Sequence, residues 1–558
     1  MMTTATATRP SGELSAGERG RVRRLAGTGT LVRFILRRDR VRLPVWIGAI
    51  TLFTIGSVAS LPDIYLTDAD RAARAELMAN PGTRAISGPG YGLDDYTFGA
   101  MIAQEYLSWV AIFVALMSIL LMVRHTRSEE ETGRAELVRA GVVGRHAQTT
   151  AALIVVGGAS LAMGLLLALG LGSLGLENIG WAGSLLFGAA LASVGIVFAA
   201  VTAVTVQVSE VARGAGGLAG AAFALAYLVR AAGDMSTTEG GGVLSWLSPV
   251  GWAQQTRVYV DDRWWPLLLS VALTGLLAAT AYWLSTRRDV GAGLVPSRPG
   301  SATGSAALAS PLGLAWRLHR VSVMWWTIAL LAFGLGYGTL ASEVESFAED
   351  FSAMQDFIDV IGGDSIINAF LAMITSLMAV VVSVFAVLTV LRLRSEESSG
   401  RAEPLLATAA PRTRWVASHL IVAAVGSAII LALGGLGLGL TASAALDDAS
   451  ILPELLGAAL AYVPAVWLTI GLGVALFGVV PRASLLVWLV IAYAGLIGSF
   501  AAILDLPEWT LNLSPFGHIP SLPAVDMNWV PLVVLTVISA GLVALGFYGF
   551  RRRDLETK

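Results

Sequence analysis

Two ten-residue phrases concentrate ionisable side chains: RSEEETGRAE at 127–136 and RSEESSGRAE at 394–403. Eight of the ten letters agree, without a gap, 267 residues apart. The chemistry open to such a phrase is charge pairing rather than bond-making. Glu130 with Arg134, and Glu397 with Arg401, stand at i, i+4, the spacing of a local helix pair worth roughly 0.2–0.5 kcal/mol. The rest of the chain offers little to a reaction. Its five histidines, His125, His146, His319, His419 and His518, stand singly in the sequence, without the spacing of a metal site. Cysteine is absent, so disulfides, thiolate metal sites and a Cys nucleophile are excluded. The only lysine is Lys558, which excludes a GxxxxGK[ST] phosphate loop. ATP-driven work would need a second polypeptide.

The elements that carry the phrases are apolar. With 558 residues, 55% of them hydrophobic, 14% charged and a mean hydropathy of +0.71, the chain lies in the range of polytopic membrane proteins. A bilayer core needs roughly 20 apolar residues in a helix. About twelve runs qualify: 43–61, 104–123, 149–174, 181–207, 215–233, 264–285, 323–341, 367–391, 417–441, 453–479, 483–504 and 530–550. The fold class expected is all-α and polytopic. About 42 polar, Arg-rich residues precede the first run, so a cleaved signal peptide is not expected.

With the N-terminus inside, 31 of the 37 basic residues fall on the inner face, and only Arg71, Arg74, Arg84, Arg230, Arg257 and Arg263 fall outside. An asymmetry of that size predicts cytoplasmic N- and C-termini. Both phrases then face the cytoplasm, because six spans separate them. Glu105 and Arg230, near the outer ends of their spans, are expected at the outer interface, where long side chains snorkel.

Other passages repeat as well. LVRFILRRDRVRLPVW at 31–46 is echoed by LGLAWRLHRVSVMWW at 312–326, each suited to lying in the inner interface before a span. LSPVG at 247–251 returns as LSPFG at 513–517, and the sixth span of each half ends in an Arg-Asp pair, Arg288-Asp289 and Arg553-Asp554. The organisation expected is a cytoplasmic segment 1–42 with an interfacial helix, a six-helix half 43–289, a flexible Gly/Ser/Pro/Ala linker 290–310, and a second half 311–558 of parallel topology.

Topology alone asks for excess arginine in inner loops, yet residues 127–136 carry four acids against two arginines. Their retention in two diverged halves points to a docking element. Gly133 and Gly400 allow a change of direction, and AELVRAGVVGR and AEPLLATAAPRTR follow, long enough for one or two helical turns along the membrane.

This order resembles the first cytoplasmic loop of ABC-2 type (type V) ABC exporter permeases, whose pattern reads roughly E-x-E-x-G-T-x-E-x-L-L-x-x-P-x-x-R. Glu396, Glu397, Gly400, Glu403, Leu405, Leu406, Ala407 and Pro411 follow it more closely than the first copy. Arg134 and Arg401 stand where many relatives have Thr; Pro404 and Val138-Arg139 also depart from it. The fused, Arg-rich form is similar to actinobacterial antibiotic and multidrug exporter permeases, the "exporters of polyketide antibiotics".

The resemblance implies two parallel six-helix repeats in a bacterial cytoplasmic membrane. It implies a permease without an ATPase site or cofactor of its own, with ATP and Mg on a separate ATPase subunit, two copies per fused permease. Coupling to that subunit would fall to Glu129, Glu130, Glu131, Gly133, Arg134 and Glu136, and to Glu396, Glu397, Gly400, Arg401 and Glu403. The second and fifth spans of each half would bound the substrate path. On this chain that points to Trp109, Phe113, Met117, Phe223 and Tyr227, and to Phe370, Met373, Met378, Trp488, Tyr493 and Phe500. Aromatic and Met side chains suit bulky hydrophobic or amphipathic compounds, since they offer area and adaptable shape with few fixed hydrogen bonds. Such compounds, with membrane lipid, are the partners expected; no metal or nucleic acid is. Export of a lipid or cell-envelope component is the alternative. A membrane-embedded enzyme is less favoured, because clustered acids or histidines at one depth are not evident.

Overall fold

The structure is a computed structural model that describes residues 24–237, 241–289, 291–296, 303–342, 344, 366–408, 411–500 and 507–555, without the side chains of Val138, Arg139, Ser499, Phe500 and Glu508. Residues 1–23, linker residues 290 and 297–302, the end of the eleventh expected run at 501–504 and the Phe500 side chain therefore lie outside the described residues. Among those described, twelve helices are long and apolar enough to cross a membrane, and strand pairing is confined to one isolated bridge, Ser209 with Val295. The protein is an all-α, multi-pass membrane protein.

The chain divides into two compact units, Met1–Pro299 and Gly300–Lys558. In the first, the spans are Arg42–Ile64, Phe98–Glu131, Ala147–Ser173, Trp181–Val208, Ala212–Met235 and Pro266–Ser285. The fourth packs on the second, third and sixth; its apolar side chains run all round the helix, as a helix enclosed by others requires. In the second unit, the spans are Pro311–Gly338, Ile366–Ser398, Arg412–Ala445, Ile451–Val479, Pro481–Gly498 and Trp529–Arg552. There the ninth span packs on the seventh and eighth, and the tenth on the twelfth.

The two lead-in stretches fold differently. In the first unit Thr28–Arg38 is a separate helix, and the span begins at Arg42. In the second, a single helix runs from Pro311 to Gly338, so the expected separate interfacial stretch is continuous with its span. The sequence supplies a reason. Pro44 lacks an N–H and its ring crowds the carbonyl four residues earlier, which interrupts the helix near Arg40; Met324 stands at the matching place and allows the helix to continue.

Part of the expected flexible linker is held. Leu294 N–H donates to Gln207 O and Val295 N–H to Val208 O, each at 3.0 Å, docking this stretch beside the C-terminal end of the fourth span.

The repeated LSPxG motif builds the same turn twice. Ser248 Oγ accepts from Val250 N at 3.2 Å, and Ser514 Oγ accepts from Phe516 N at 3.3 Å. A Cβ on Gly251 would lie 1.9 Å from Ser245 O, and one on Gly517 2.4 Å from Leu511 O. Glycine is thus required by the close approach of backbone six residues away in both copies.

Candidate functional site

In the first unit the second span breaks at Thr126, a short helix Arg127–Glu131 follows, and Gly133 turns the chain into the helix Arg134–Arg139. Gly133 has φ +73° and its counterpart Gly400 φ +71°, both with open space around them. The backbone conformation, rather than crowding, is what calls for glycine there.

Three consecutive glutamates grip three different elements. Arg38 Nη1, at the end of the lead-in helix, donates to Glu129 Oε1 at 2.5 Å. Glu130 takes both guanidinium nitrogens of Arg288, just beyond the sixth span, at 2.8 Å each, and Arg127 Nη1 at 2.7 Å. Glu131 Oε2 accepts from the Ala212 N–H at 3.0 Å, at the start of the fifth span, where a helix N-terminus favours negative charge. Arg127, 1% exposed, also donates to the carbonyls of Glu210, Gly291 and Ala292. Arg288 Nε reaches Gln207 Oε1 at 2.6 Å. Beside this junction Asp39 is fully buried, with His125 Nε2 at 2.7 Å and Arg124 Nε at 3.3 Å. An open groove of about 370 Å³ adjoins it, lined among others by Phe34, Ile35, Arg38 and Arg134.

In the second unit the eighth span runs unbroken to Ser398. Glu397, 3% exposed, accepts two parallel bonds from Arg553, at 2.5 and 2.7 Å. Glu396 pairs with Arg392 on its own helix at 3.3 Å, and Ser398 Oγ donates to Ser395 O, also on that helix. Arg394 donates to Pro481 O and, at 2.9 Å, to Ser484 Oγ, at the start of the eleventh span. Where the first unit has Asp39 against His125, the second sets His319 Nε2 3.1 Å from His419 Nδ1, both buried; two of the histidines that stand singly in the sequence thus meet in space.

Two of the coupling candidates face inward: the carboxylates of Glu130 and Glu397 lie inside their units, held by Arg288 and Arg553. Of the remaining coupling candidates, Glu131, Arg134, Glu136, Arg401 and Glu403 are exposed, and Glu129 and Glu396 are half-buried in ion pairs. Leu137 is 80% exposed, an apolar side chain on the segment after the turn. The sequence signal for the missed arginines was the Arg-Asp pair that closes both sixth spans.

On the opposite side of the first unit, neither Glu105 nor Arg230 snorkels. Glu105 lies in a π-helical turn, Ile102–Tyr106, of the second span. It accepts from Arg74 Nη2 at 2.5 Å and from Tyr96 OH at 3.0 Å. Burial works against charge on Arg74, but Glu105, with Tyr65, raises its pKa above the ordinary arginine value; burial pushes the Tyr65 phenol up to about 12. Arg230 is fully buried. It donates to Asp234 Oδ2 at 3.1 Å, to Ala85 O at 3.1 Å and to Ile86 O at 3.2 Å, and lies 4.3 Å from the centre of the Tyr227 ring. Ser245 Oγ donates to Asp234 Oδ1 at 2.5 Å, and Gln254 Nε2 to Ser108 Oγ at 2.5 Å. The fifth span is thereby tied to segment 81–87 before it in the chain and to segment 243–247 after it.

The path residues divide. Trp109 and Phe113 are each 44% exposed, and Met373 is 38% exposed. Phe223, Tyr227, Phe370, Trp488 and Tyr493 are half-buried; Tyr227 OH donates to Ile86 O and Tyr493 OH to Thr510 O. Met117 and Met378 are fully buried, Met378 with its Cε against Gly434.

A family model described as "multidrug efflux system permease Rv1217c, C-terminal domain" matches residues 30–284 and 308–551, one stretch within each unit. The chain is also 42% identical, over 97% of its length and 98% of the relative's, to the multidrug efflux system permease protein Rv1217c of Mycobacterium tuberculosis (strain ATCC 25618 / H37Rv).

Proposed function

The chain belongs to the Rv1217c-type family of multidrug efflux system permeases, and from that premise we propose that it is the membrane-spanning subunit of an ATP-driven exporter of hydrophobic or amphipathic compounds. The observation that carries the reading is the family membership joined to a twelve-span all-α architecture. ATP is hydrolysed on a separate P-loop subunit, since the sole lysine, Lys558, follows Thr557 and not the glycine of a GxxxxGK[ST] loop. One copy of that subunit seats against the exposed part of each phrase-bearing segment: Arg134, Glu136 and Leu137 in the first, Arg401 and Glu403 in the second. Those segments and both termini face the cytoplasm, on the arginine asymmetry, and substrate moves outward across the cytoplasmic membrane past the aromatic side chains of the second, fifth, eighth and eleventh spans.

The test uses inverted membrane vesicles carrying the full chain with and without a candidate P-loop ATPase subunit, and ethidium as the probe. ATP-dependent ethidium uptake that needs both chains is the expected result. ATP turnover by the purified permease alone, or uptake that ignores the ATPase, would overturn the reading.

A further inference from the structure

We propose that Arg288 and Arg553 are positioning residues for the two coupling segments, and that the second half depends on its arginine far more than the first. The inference rests on the exporter reading, and it concerns how a push on either segment reaches the spans behind it.

Each arginine holds the phrase glutamate by a two-point grip: Arg288 to Glu130 at 2.8 Å twice, Arg553 to Glu397 at 2.5 and 2.7 Å. A planar guanidinium facing a carboxylate in this way fixes orientation as well as distance. Each also engages other elements of its own unit. Arg288 reaches Gln207 at the C-terminal end of the fourth span. Arg553 lies 5.0 Å from the ring centres of Phe477, in the tenth span, and Phe550, in the twelfth. Its carbonyl accepts from Arg412 Nη1, at the start of the ninth span, at 3.0 Å. The arginine beyond the sixth span of each half is therefore the node through which a displacement of the segment is shared among several spans.

The halves differ in what would remain without that node. In the first, Glu129 reaches the lead-in helix, Glu131 the fifth span, and Arg127 the carbonyls at 210, 291 and 292. In the second, Glu396 and Ser398 bond within their own helix, and Ser398 carries no carboxylate with which to cap a neighbour. Arg394 reaches Pro481 and Ser484, but Arg553 is what joins the phrase to the twelfth span.

The chain has no cysteine, so paired labels can be introduced without background. Spin labels at L137C with T286C report the first segment against its sixth span, and A407C with R551C report the second. In the full chain, R553Q is expected to broaden the second distance distribution, while R288Q leaves the first close to that of the otherwise unaltered chain. In vesicles with the ATPase, R553Q should cut ATP-dependent ethidium uptake at least about tenfold, and R288Q less than about threefold. R553K, which keeps the cation but not the planar fork, should fall between wild type and R553Q and covers the case in which R553Q does not insert. The charge swap E397R/R553E should recover part of the uptake lost in R553Q. Unchanged distances and uptake in R553Q and R553K, or equal losses in R288Q and R553Q, would overturn the proposal. A broadened distribution with normal uptake would overturn the positioning role. Absence of uptake by the wild-type pair would instead sink the exporter reading, while the label distances would still judge the grip.

Discussion

Replacing Arg230 with Met removes the cation from a site that admits no water-exposed substitute. Its Nη1 bond to Asp234 at 3.1 Å, its two bonds to Ala85 O and Ile86 O, and its stacking 4.3 Å from Tyr227 all go. Asp234 stays behind, fully buried, with Ser245 as its remaining named donor. Breaking a buried pair by removing one partner costs about 3–5 kcal/mol, and a desolvated cation–π contact adds roughly 1–2 kcal/mol. Ile86 O keeps the Tyr227 hydroxyl, which limits the loss, so about 4 kcal/mol is the expected destabilisation. The assay is thermal unfolding of the purified full chain in detergent, where a fall of roughly 3–6 °C should appear. The companion R230M/D234L removes both charges and should recover more than half of that fall, because a buried pair replaced by apolar side chains is often near neutral. A melting temperature for R230M within about 2 °C of wild type, or a double variant less stable than the single, would refute the account of this network.

The junction beneath the first phrase gives a sharp contrast between neighbours. Glu130→Ala leaves Arg127 and Arg288 facing each other without a carboxylate and should lower thermal stability by roughly 3 kcal/mol or more, whereas Glu136→Ala, exposed, should change it by less than about 1 kcal/mol; melting curves of the two variants decide. Gly133→Ala and Gly400→Ala place a side chain at positive φ and should each cost about 1 kcal/mol, without a steric clash, so Asn at either position should be better tolerated than Val. Met324→Pro should interrupt the seventh span near Arg320 as Pro44 interrupts the first near Arg40, seen as faster amide exchange around residues 318–322; unaltered protection there would rule out proline as the cause of the difference between the halves.

Much of the architecture follows from the sequence alone because its causes are local. A run of about 20 apolar residues makes a span wherever it sits. The duplicated phrase and LSPxG motif mark two like halves, and Gly133 and Gly400 mark turns by their missing Cβ, while the echo between the two lead-in stretches hid the break that Pro44 makes in one and Met324 does not make in the other. The partners of the charged residues are another matter. Sequence spacing shows Glu130 four residues from Arg134, yet in the folded unit it meets Arg288, 158 residues away, and Glu397 meets Arg553, 156 residues away. Arg230 and Glu105 read as snorkelling groups because their place near the ends of their spans was legible, but not the connecting segments that fold over them. Helical periodicity determines which side chains share a face; which element that face meets depends on how the spans pack, and a buried carboxylate takes the guanidinium that packing brings to it.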